Sequence, residues 1–340
     1  MDIKGLSLAE LQQCLRKYDL PVYRASQIYA WIYQKRVCRW EEMTNIPKEL
    51  QKILCEAGLS IGCLEVIYQD EAADGTIKYL FQLQDGQRIE SVYLPETDRR
   101  TICFSTQVGC GMGCLFCATG RNGLGRNLTP GEIIDQILRI NTLVGVRTEN
   151  LVAMGQGEPL ANYESLLKAL FIINDAKGLG IGARHITIST CGIVPGILKL
   201  AEEALQVNLA ISLHAADNKL RDHLMPINKT FPLPKLLEAC RFYLARTGRR
   251  ITFEYTLIDG INDRPEDLKN LQQLLRGILC HVNLIPLNII SESDFKRSRP
   301  QRIREFAAAL NQVGIETTVR KERGSELVAA CGQLQGKGPS

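Results

Sequence analysis

Thr101-Ile102-Cys103-Phe104-Ser105-Thr106-Gln107-Val108-Gly109-Cys110-Gly111-Met112-Gly113-Cys114-Leu115-Phe116-Cys117 runs from a strand-like stretch straight into three closely spaced cysteines. Residues 101–107 have strand character. Cys110, Cys114 and Cys117 follow at spacings of four and three, so three thiols share one short loop and can converge on one metal centre. Gly109, Gly111 and Gly113 allow the backbone turns this requires. A structural zinc site normally takes four ligands, often in two separated pairs. An iron–sulfur cube likewise has four irons to ligate. Three local cysteines therefore point to a cluster with one open iron, or to a fourth ligand elsewhere.

The same strand begins a series. Strand-like runs recur at 101–107, 151–155, 185–190, 207–213, 250–258 and 281–287. Helical patterns follow at 130–144, 163–176, 195–205, 234–246, 265–276 and 300–312. Six strand–helix alternations imply a parallel sheet with helices outside it. Six is fewer than the eight of a closed barrel, so the expectation is an α/β fold with a partial (βα)6 barrel. A doubly wound sheet is the alternative; both folds put function at the carboxyl ends of the strands. A last strand, Glu316–Lys321, extends or closes one edge.

Upstream, Leu64–Tyr68, Thr76–Leu83 and Arg88–Tyr93 read as a small antiparallel sheet, with turns at Asp74-Gly75 and Asp85-Gly86. Residues 1–58 read as a helical module. Ser7-Leu8-Ala9-Glu10 is a capping box, a second helix covers Ser26–Tyr33, and a third runs from about Pro47 to Ala57. The expected organisation is 1–58 a helical accessory domain, 59–95 a β extension, 96–330 the core barrel and 331–340 the tail.

Among the 340 residues, 41 are Lys or Arg and 37 are Asp or Glu, for a net charge of +4, and 45% are apolar. These values exclude wholesale disorder. No apolar run approaches the roughly 18 residues of a membrane span. The start, Met1-Asp2-Ile3-Lys4-Gly5, is too polar for a signal peptide, so the expected location is the cytoplasm. Twelve cysteines in such a chain point to metal or redox chemistry rather than a disulfide framework.

Cys-x3-Cys-x2-Cys after the first strand of a βα series resembles the signature of radical S-adenosylmethionine (SAM) enzymes. The resemblance implies a 4Fe–4S cluster on Cys110, Cys114 and Cys117, whose open iron takes the amino and carboxylate groups of SAM. Reductive cleavage of that SAM then yields a 5′-deoxyadenosyl radical. Gly155-Gln156-Gly157-Glu158-Pro159 is similar to the family's glycine–glutamate element, with Gly157 beside the ligand and Glu158 accepting from the SAM ammonium. Ser189, Ser212, Leu213, His214 and Asn288 fall at the ends of later strands and are the remaining candidate SAM contacts.

Cys103 and Cys331 narrow the resemblance. Together with Arg88-Ile89-Glu90-Ser91-Val92-Tyr93, Cys117-Ala118-Thr119-Gly120, Ala210–Ala215 and Ala329-Ala330-Cys331-Gly332-Gln333-Leu334, they resemble the RlmN family of RNA adenine C2-methyltransferases over nearly the whole chain. That resemblance implies 23S rRNA and certain tRNAs as substrates, and an electron donor such as flavodoxin or ferredoxin, for a monomeric enzyme. It implies two SAM molecules per turnover, one methylating Cys331 and the other supplying the radical. The radical takes a hydrogen from the S-methyl group, and the carbon radical adds to adenine C2. Glu90 accepts the proton, and the product leaves as Cys103 and Cys331 form a disulfide. Adenine C2 is an electron-poor C–H carbon with no nucleophilic lone pair, so polar transfer from SAM has nothing to work with there.

The sequence departs from the family at Gln156, where methionine is common, which touches SAM packing. It departs again at Gly324-Ser325-Glu326-Leu327-Val328, which lacks the usual paired aspartates. The related C8-methyltransferases of antibiotic resistance share both cysteines and the cluster; Pro159 fits the C2 group better. A non-catalytic RNA-binding protein with a structural metal loop is the reading from another class. Basic groups at 296–304, at Arg246, Arg249 and Arg250, and at Arg320, Lys321 and Arg323 suit phosphate contacts, with the target base drawn into the barrel mouth.

Overall fold

In the computed structural model, which describes residues 1–121, 123–290, 293–321, 323–324, 327 and 330–335, three helices come first. They are α1 (Leu8–Arg16), α2 (Val22–Tyr33) and α3 (Lys48–Glu56). Ser7 caps α1 as its sequence implies. Its hydroxyl accepts from the Glu10 N–H at 3.3 Å, while the Glu10 carboxylate takes the Ser7 N–H at 2.8 Å. Strands β1 (Glu65–Glu71), β2 (Ile77–Gln82) and β3 (Arg88–Pro95) then form an antiparallel meander.

The meander is not a sheet of its own. Strand β4 (Arg100–Cys103) pairs antiparallel with β3 and parallel with β7 (Asn150–Ala153), which fuses the extension to the barrel in one ten-stranded sheet. Between them lie a two-stranded hairpin, β5 (Gln107–Gly109) with β6 (Leu124–Asn127), the short α4 (Ala118–Arg121) and α5 (Pro130–Leu143). The chain continues through α6 (Tyr163–Asn174), β8 (Ile186–Thr190), α7 (Val194–Glu202), β9 (Asn208–Ser212), α8 (Asn218–Leu224) and α9 (Leu233–Thr247). It ends through β10 (Ile251–Leu257), α10 (Pro265–Leu275), β11 (Cys280–Pro286), α11 (Pro300–Gln312) and β12 (Thr317–Val319).

The parallel strands lie in sequential order, β4-β7-β8-β9-β10-β11-β12. A doubly wound sheet reverses direction at a switch point, and this order has none. Right-handed crossovers repeated in one direction put every helix on the same face, and the sheet curls into a partial barrel. After β12 the chain returns to the extension: Arg323 Nη1 donates to Pro95 O at 2.6 Å, and the Gly324 N–H reaches Asp74 Oδ2 at 3.4 Å. Side chains thereby close the gap that no strand fills. Ser325, Glu326, Val328, Ala329 and residues 336–340 lie outside the described residues, so much of the expected departure and most of the expected tail are not placed.

Alternation along the strands divides lumen from shell. In β10, Ile251, Phe253, Tyr255 and Leu257 belong to the apolar core, while Thr252, Glu254 and Thr256 line the lumen. In β8, Ile186 and Ile188 go to the core; Thr187 and Ser189 go to the lumen. The barrel interior therefore carries the polar side chains of these strands beside apolar ones such as Met154, Ile285 and Leu334, and its stability rests on the sheet–helix layer.

That layer is continuous with the helical module, since Leu11, Ile28, Tyr29 and Leu54 share one core cluster with Ile133, Ile137 and Ile173. A buried ion pair pins the junction. Lys4 Nζ meets Asp135 of α5 and the Gly62 carbonyl, and Asp135 Oδ2 accepts the Leu64 N–H at 2.5 Å. Among the described residues no helix is long and apolar enough to cross a membrane.

Removing one charge of a buried pair strands the other. Asp135→Ala is expected to lower unfolding free energy by about 3–5 kcal/mol, read from urea midpoints. Lys4→Met combined with Asp135→Leu should recover most of that loss; a double variant as unstable as Asp135→Ala would refute the electrostatic account.

Candidate functional site

The loop after β5 carries Cys110, Cys114 and Cys117 across the carboxyl ends of β8, β9 and β10. Met112, Cys114 and Phe116 pack against Cys191, Ala215, Leu224 and Met225. The Cys110 N–H donates to Gly123 O at 2.8 Å, and the Leu115 N–H to Leu224 O at 3.1 Å. All three thiols line one cavity with Gly157, Glu158, Ser189, Ser212, His214, Asn288 and Cys331. Burial pushes the Cys110 thiol up to about 11 and drives Cys114 up as well.

Glu158 is buried behind the loop. Its Oε1 accepts the Leu160 N–H at 3.0 Å and its Oε2 the Cys191 N–H at 2.7 Å; burial still raises its carboxyl above the usual range. Gly157 is obligatory in this turn. Its φ is +98°, and a Cβ there would stand 2.5 Å from Gln107 Cβ. Gln107 in turn accepts the Glu158 N–H at 2.8 Å, so hairpin and glycine loop brace each other.

Two expected contacts lie elsewhere. Leu213 is wholly buried in the apolar core and does not line the cavity, because alternation sends Ser212 and His214 inward and Leu213 outward. Gln156 also points away from the cavity. Its Oε1 accepts the Glu90 N–H at 3.1 Å and its own N–H donates to Ser105 Oγ at 2.8 Å, so it ties β3 to the glycine loop instead of packing on SAM.

Cys331 lines this first cavity and a second one, of about 620 Å³ against about 160 Å³. Cys103 lines the second, so the two thiols face a common space. All twelve cysteines are unbridged. Burial pushes Cys103 up to about 12, with the neighbouring Cys331 adding to the effect. Arg320, just past β12, lines both cavities, and Cys331 holds its guanidinium further towards the charged form.

The described part of the tail, residues 331–335, is held by hydrogen bonds. Asn288 Nδ2 donates to Cys331 O at 3.0 Å, the Ala118 N–H to Gly332 O at 2.7 Å, and Thr119 Oγ1 to Leu334 O at 2.7 Å. Glu90 lines neither cavity; it is buried, its Oε2 takes the Gln335 N–H at 2.6 Å and its Oε1 stands 3.4 Å from Lys78 Nζ. It shares a face of β3 with Val92, which pairs with Cys103 across the sheet and packs against it.

Arg221 was not legible as belonging to the site. Wholly buried in α8, it donates to the carbonyls of Leu213 (3.0 Å), Cys191 (2.7 Å) and Ser212 (3.0 Å) and to Asn228 Oδ1 (2.9 Å), locking the ends of β8 and β9.

Residues 104–274 match the radical SAM superfamily, and residues 1–58 match the N-terminal domain of ribosomal RNA large-subunit methyltransferases. The chain is 48% identical over 338 residues to a probable dual-specificity RNA methyltransferase RlmN of Geobacillus thermodenitrificans, covering 98% of this chain and 93% of that one. The chain belongs to the RlmN family. A Clostridium perfringens RlmN is likewise 48% identical over 335 residues, with 98% and 96% covered. The solved radical SAM methyltransferase of Sphaerobacter thermophilus superposes with a TM-score of 0.96 at 46% identity, covering 99% of this chain and all of that one.

As a radical SAM methyltransferase of the RlmN family, the enzyme works with a 4Fe–4S cluster and SAM, and the donor set suits both. Among the described residues no three His, Cys, Asp or Glu side chains gather closely enough for a single metal ion. A cube needs no such gathering, because each thiolate takes a different iron. The three loop thiols would supply those ligands, and the cavity they line continues past Glu158 to Ser212 and Asn288.

His214 gives this RlmN-family site a pH signature. Its φ is +54°, Thr256 N–H donates to its Nδ1 at 3.0 Å, and Phe116 meets the ring edge-on at 4.8 Å. Burial, helped by Arg221, pulls its pKa from 6.5 down to about 3. Between those values the unfolded chain binds the extra proton, so stability falls as pH drops below 6.5, by about 1.4 kcal/mol at a pH of about 5.5. Urea midpoints at both ends of that range should fall less for His214→Gln; equal falls would mean the folded imidazole titrates normally.

Proposed function

We propose that the enzyme methylates C2 of adenosine in 23S rRNA and in tRNA, through an S-methyl group carried on Cys331. The observation that carries this reading is the position of Cys331 where the two cavities meet, with Cys103 in the second. Cys110, Cys114 and Cys117 hold the cluster. Glu158, Gly157, Ser189, Ser212, His214 and Asn288 form the SAM pocket. Bound there, cluster and SAM supply a methyl group for displacement and a radical for hydrogen abstraction.

The residues of the chain do the rest. Cys331 accepts a methyl group on sulfur, and Asn288 fixes its backbone so that the sulfur stays at the junction. Once the methylene carbon is bonded to the adenine ring and the ring proton has left, the Cys103 thiolate attacks the Cys331 sulfur as the C–S bond breaks. The carbon takes a proton to become methyl, and the two sulfurs are left as a disulfide. The one electron left over from the radical would be taken up by the bound cluster. Glu90, two residues along β3 from the Val92 that packs on Cys103, receives the ring proton after it gives up its bond to the Gln335 N–H and turns towards the second cavity.

The second cavity suits RNA entry better than the cluster end, which the loop, α4 and the tail cover. Its rim carries exposed Arg184 and Lys321. Such cations position phosphates without reading sequence. The basic group at 246–250 serves this less, since Arg246 and Arg250 are paired with Glu202 and Glu316 and Arg249 bonds Asn208. The helical module 1–58 adds a second RNA surface. The Cys103–Cys331 disulfide must be reduced by thiols every cycle, which fits the cytoplasm; flavodoxin or ferredoxin would supply the electron for SAM cleavage, and the enzyme would act as a monomer.

Anaerobic turnover with methyl-labelled SAM and rRNA or tRNA, followed by nucleoside mass spectrometry, should give 2-methyladenosine. 8-Methyladenosine would transfer the chain to the C8 group, and no nucleoside product would sink the assignment. Cys331→Ala should abolish both protein S-methylation and RNA product. Cys103→Ala should stall with RNA covalently bound to Cys331; full turnover by either variant would overturn the two-thiol mechanism.

A further inference from the structure

Strand β10 turns three side chains inward, and they mark successive levels of the lumen. Thr252 lines only the second cavity, Thr256 only the first, and Glu254 between them lines both. Cys331, Arg320 and Asn288 also line both, as do the apolar Met154, Ile285 and Leu334. Glu254 therefore stands on the level at which the proposed methyl carrier meets its acceptor ring.

Glu254 is only 5% exposed, yet half of its carboxyl has no partner. Asn283 Nδ2 donates to its Oε2 at 2.8 Å, and among the described residues Oε1 receives no hydrogen bond. Arg320 acts on the group through space without forming an ion pair. Asn288, the other neutral polar side chain of this level, is spent on the Cys331 carbonyl. A buried polar oxygen left open towards a cavity is costly unless a ligand completes it.

We propose that Glu254 is a specificity-determining residue that reads the Watson–Crick edge of the target adenine, with Met154, Ile285 and Leu334 supplying apolar surface for the ring. Bases drawn out of a stack are read in this way, by hydrogen bonds to that edge and contact on the faces. Adenine presents the acceptor N1 beside the donor 6-amino group. A protonated carboxyl presents a donor O–H beside an acceptor oxygen, so the two match in pairs.

The surroundings set the polarity of that pair. By donating to Oε2, Asn283 keeps this oxygen an acceptor and leaves the proton to Oε1. Burial pushes the carboxyl up against the opposing pull of Arg320 and Asn283, which favours the protonated form. An ionised carboxylate has acceptors only and would suit the N1–H and 2-amino group of guanine instead. N1 is bonded to C2, so a residue that holds N1 fixes the reacting carbon one bond away.

The assignment rests on the reading of Cys331 as the methyl carrier, and its test separates the two. An rRNA fragment with adenosine at the methylated position competes with the same fragment carrying purine riboside, which keeps N1 and C2 but lacks the 6-amino group. The cluster-loaded wild type should favour adenosine, and that preference, read from the methylated nucleosides by mass spectrometry, should fall about 30-fold in Glu254→Leu. Glu254→Gln, whose amide again sets a donor beside an acceptor, should keep most of it. Fluorescence anisotropy without reductant should show wild type binding the adenosine fragment more tightly. Cys331 S-methylation in the absence of RNA should proceed in Glu254→Leu as in wild type. The proposal is overturned if Glu254→Leu keeps the adenosine preference or if wild type binds both fragments equally. It is also overturned if Glu254→Leu loses S-methylation of Cys331 together with RNA product, which would assign the carboxyl to SAM. Absence of 2-methyladenosine from wild type would instead fault the carrier reading, and the binding comparison then still decides Glu254.

Discussion

The hydrogen bonds along Cys331–Gln335 are the constraint on which the site depends. Their partners come from the end of β11, from α4 behind the cysteine loop, and from β3 of the extension. No two of these regions are neighbours in sequence, and the tail is what sets them around one sulfur. Each bond is worth about 1 kcal/mol net, enough together to hold Cys331 and small enough to let go. Placement of the thiol is thus firm without being permanent, which suits the role proposed for Cys331, meeting SAM, adenine and Cys103 in turn.

The polar lumen follows from the same need. A barrel packed with aliphatic side chains would have no room below Cys331. Here the inward residues Thr187, Asn208, Thr252, Glu254 and Asn283 leave a space lined by hydrogen-bonding groups. Glu254 is the exception that needs a cation, and burial raises its carboxyl despite Arg320 and a 2.8 Å bond from Asn283. Arg320 thereby answers to a carboxylate and two thiols at once.

The six βα units were legible because apolar spacing changes period at each strand–helix boundary. What alternation could not show was pairing partners, so the extension read as a separate sheet although β3 pairs with β4. The cluster loop was legible from spacing alone. Arg221 was not, since a buried arginine satisfied by carbonyls leaves no mark in sequence, and α8 offers only Leu220 and Leu224 as apolar residues. Leu213 was misread because it sits between residues that face the cavity where β9 ends; Gln156 lies in the turn past β7, where its hydrogen bonds to Glu90 and Ser105 set its direction and periodicity has no say.

The seam between β12 and the extension is held by Arg323 on the Pro95 carbonyl and Glu96, and by Gly324 on Asp74. A hydrogen-bonded ladder would shear only as a whole, whereas a few side-chain contacts can release singly. Among the described residues, the barrel wall is therefore stiff along its strand ladders and compliant along this line. Elastic opening of the wall is concentrated there, within a few residues of Arg320 and a short distance along the chain from Cys331.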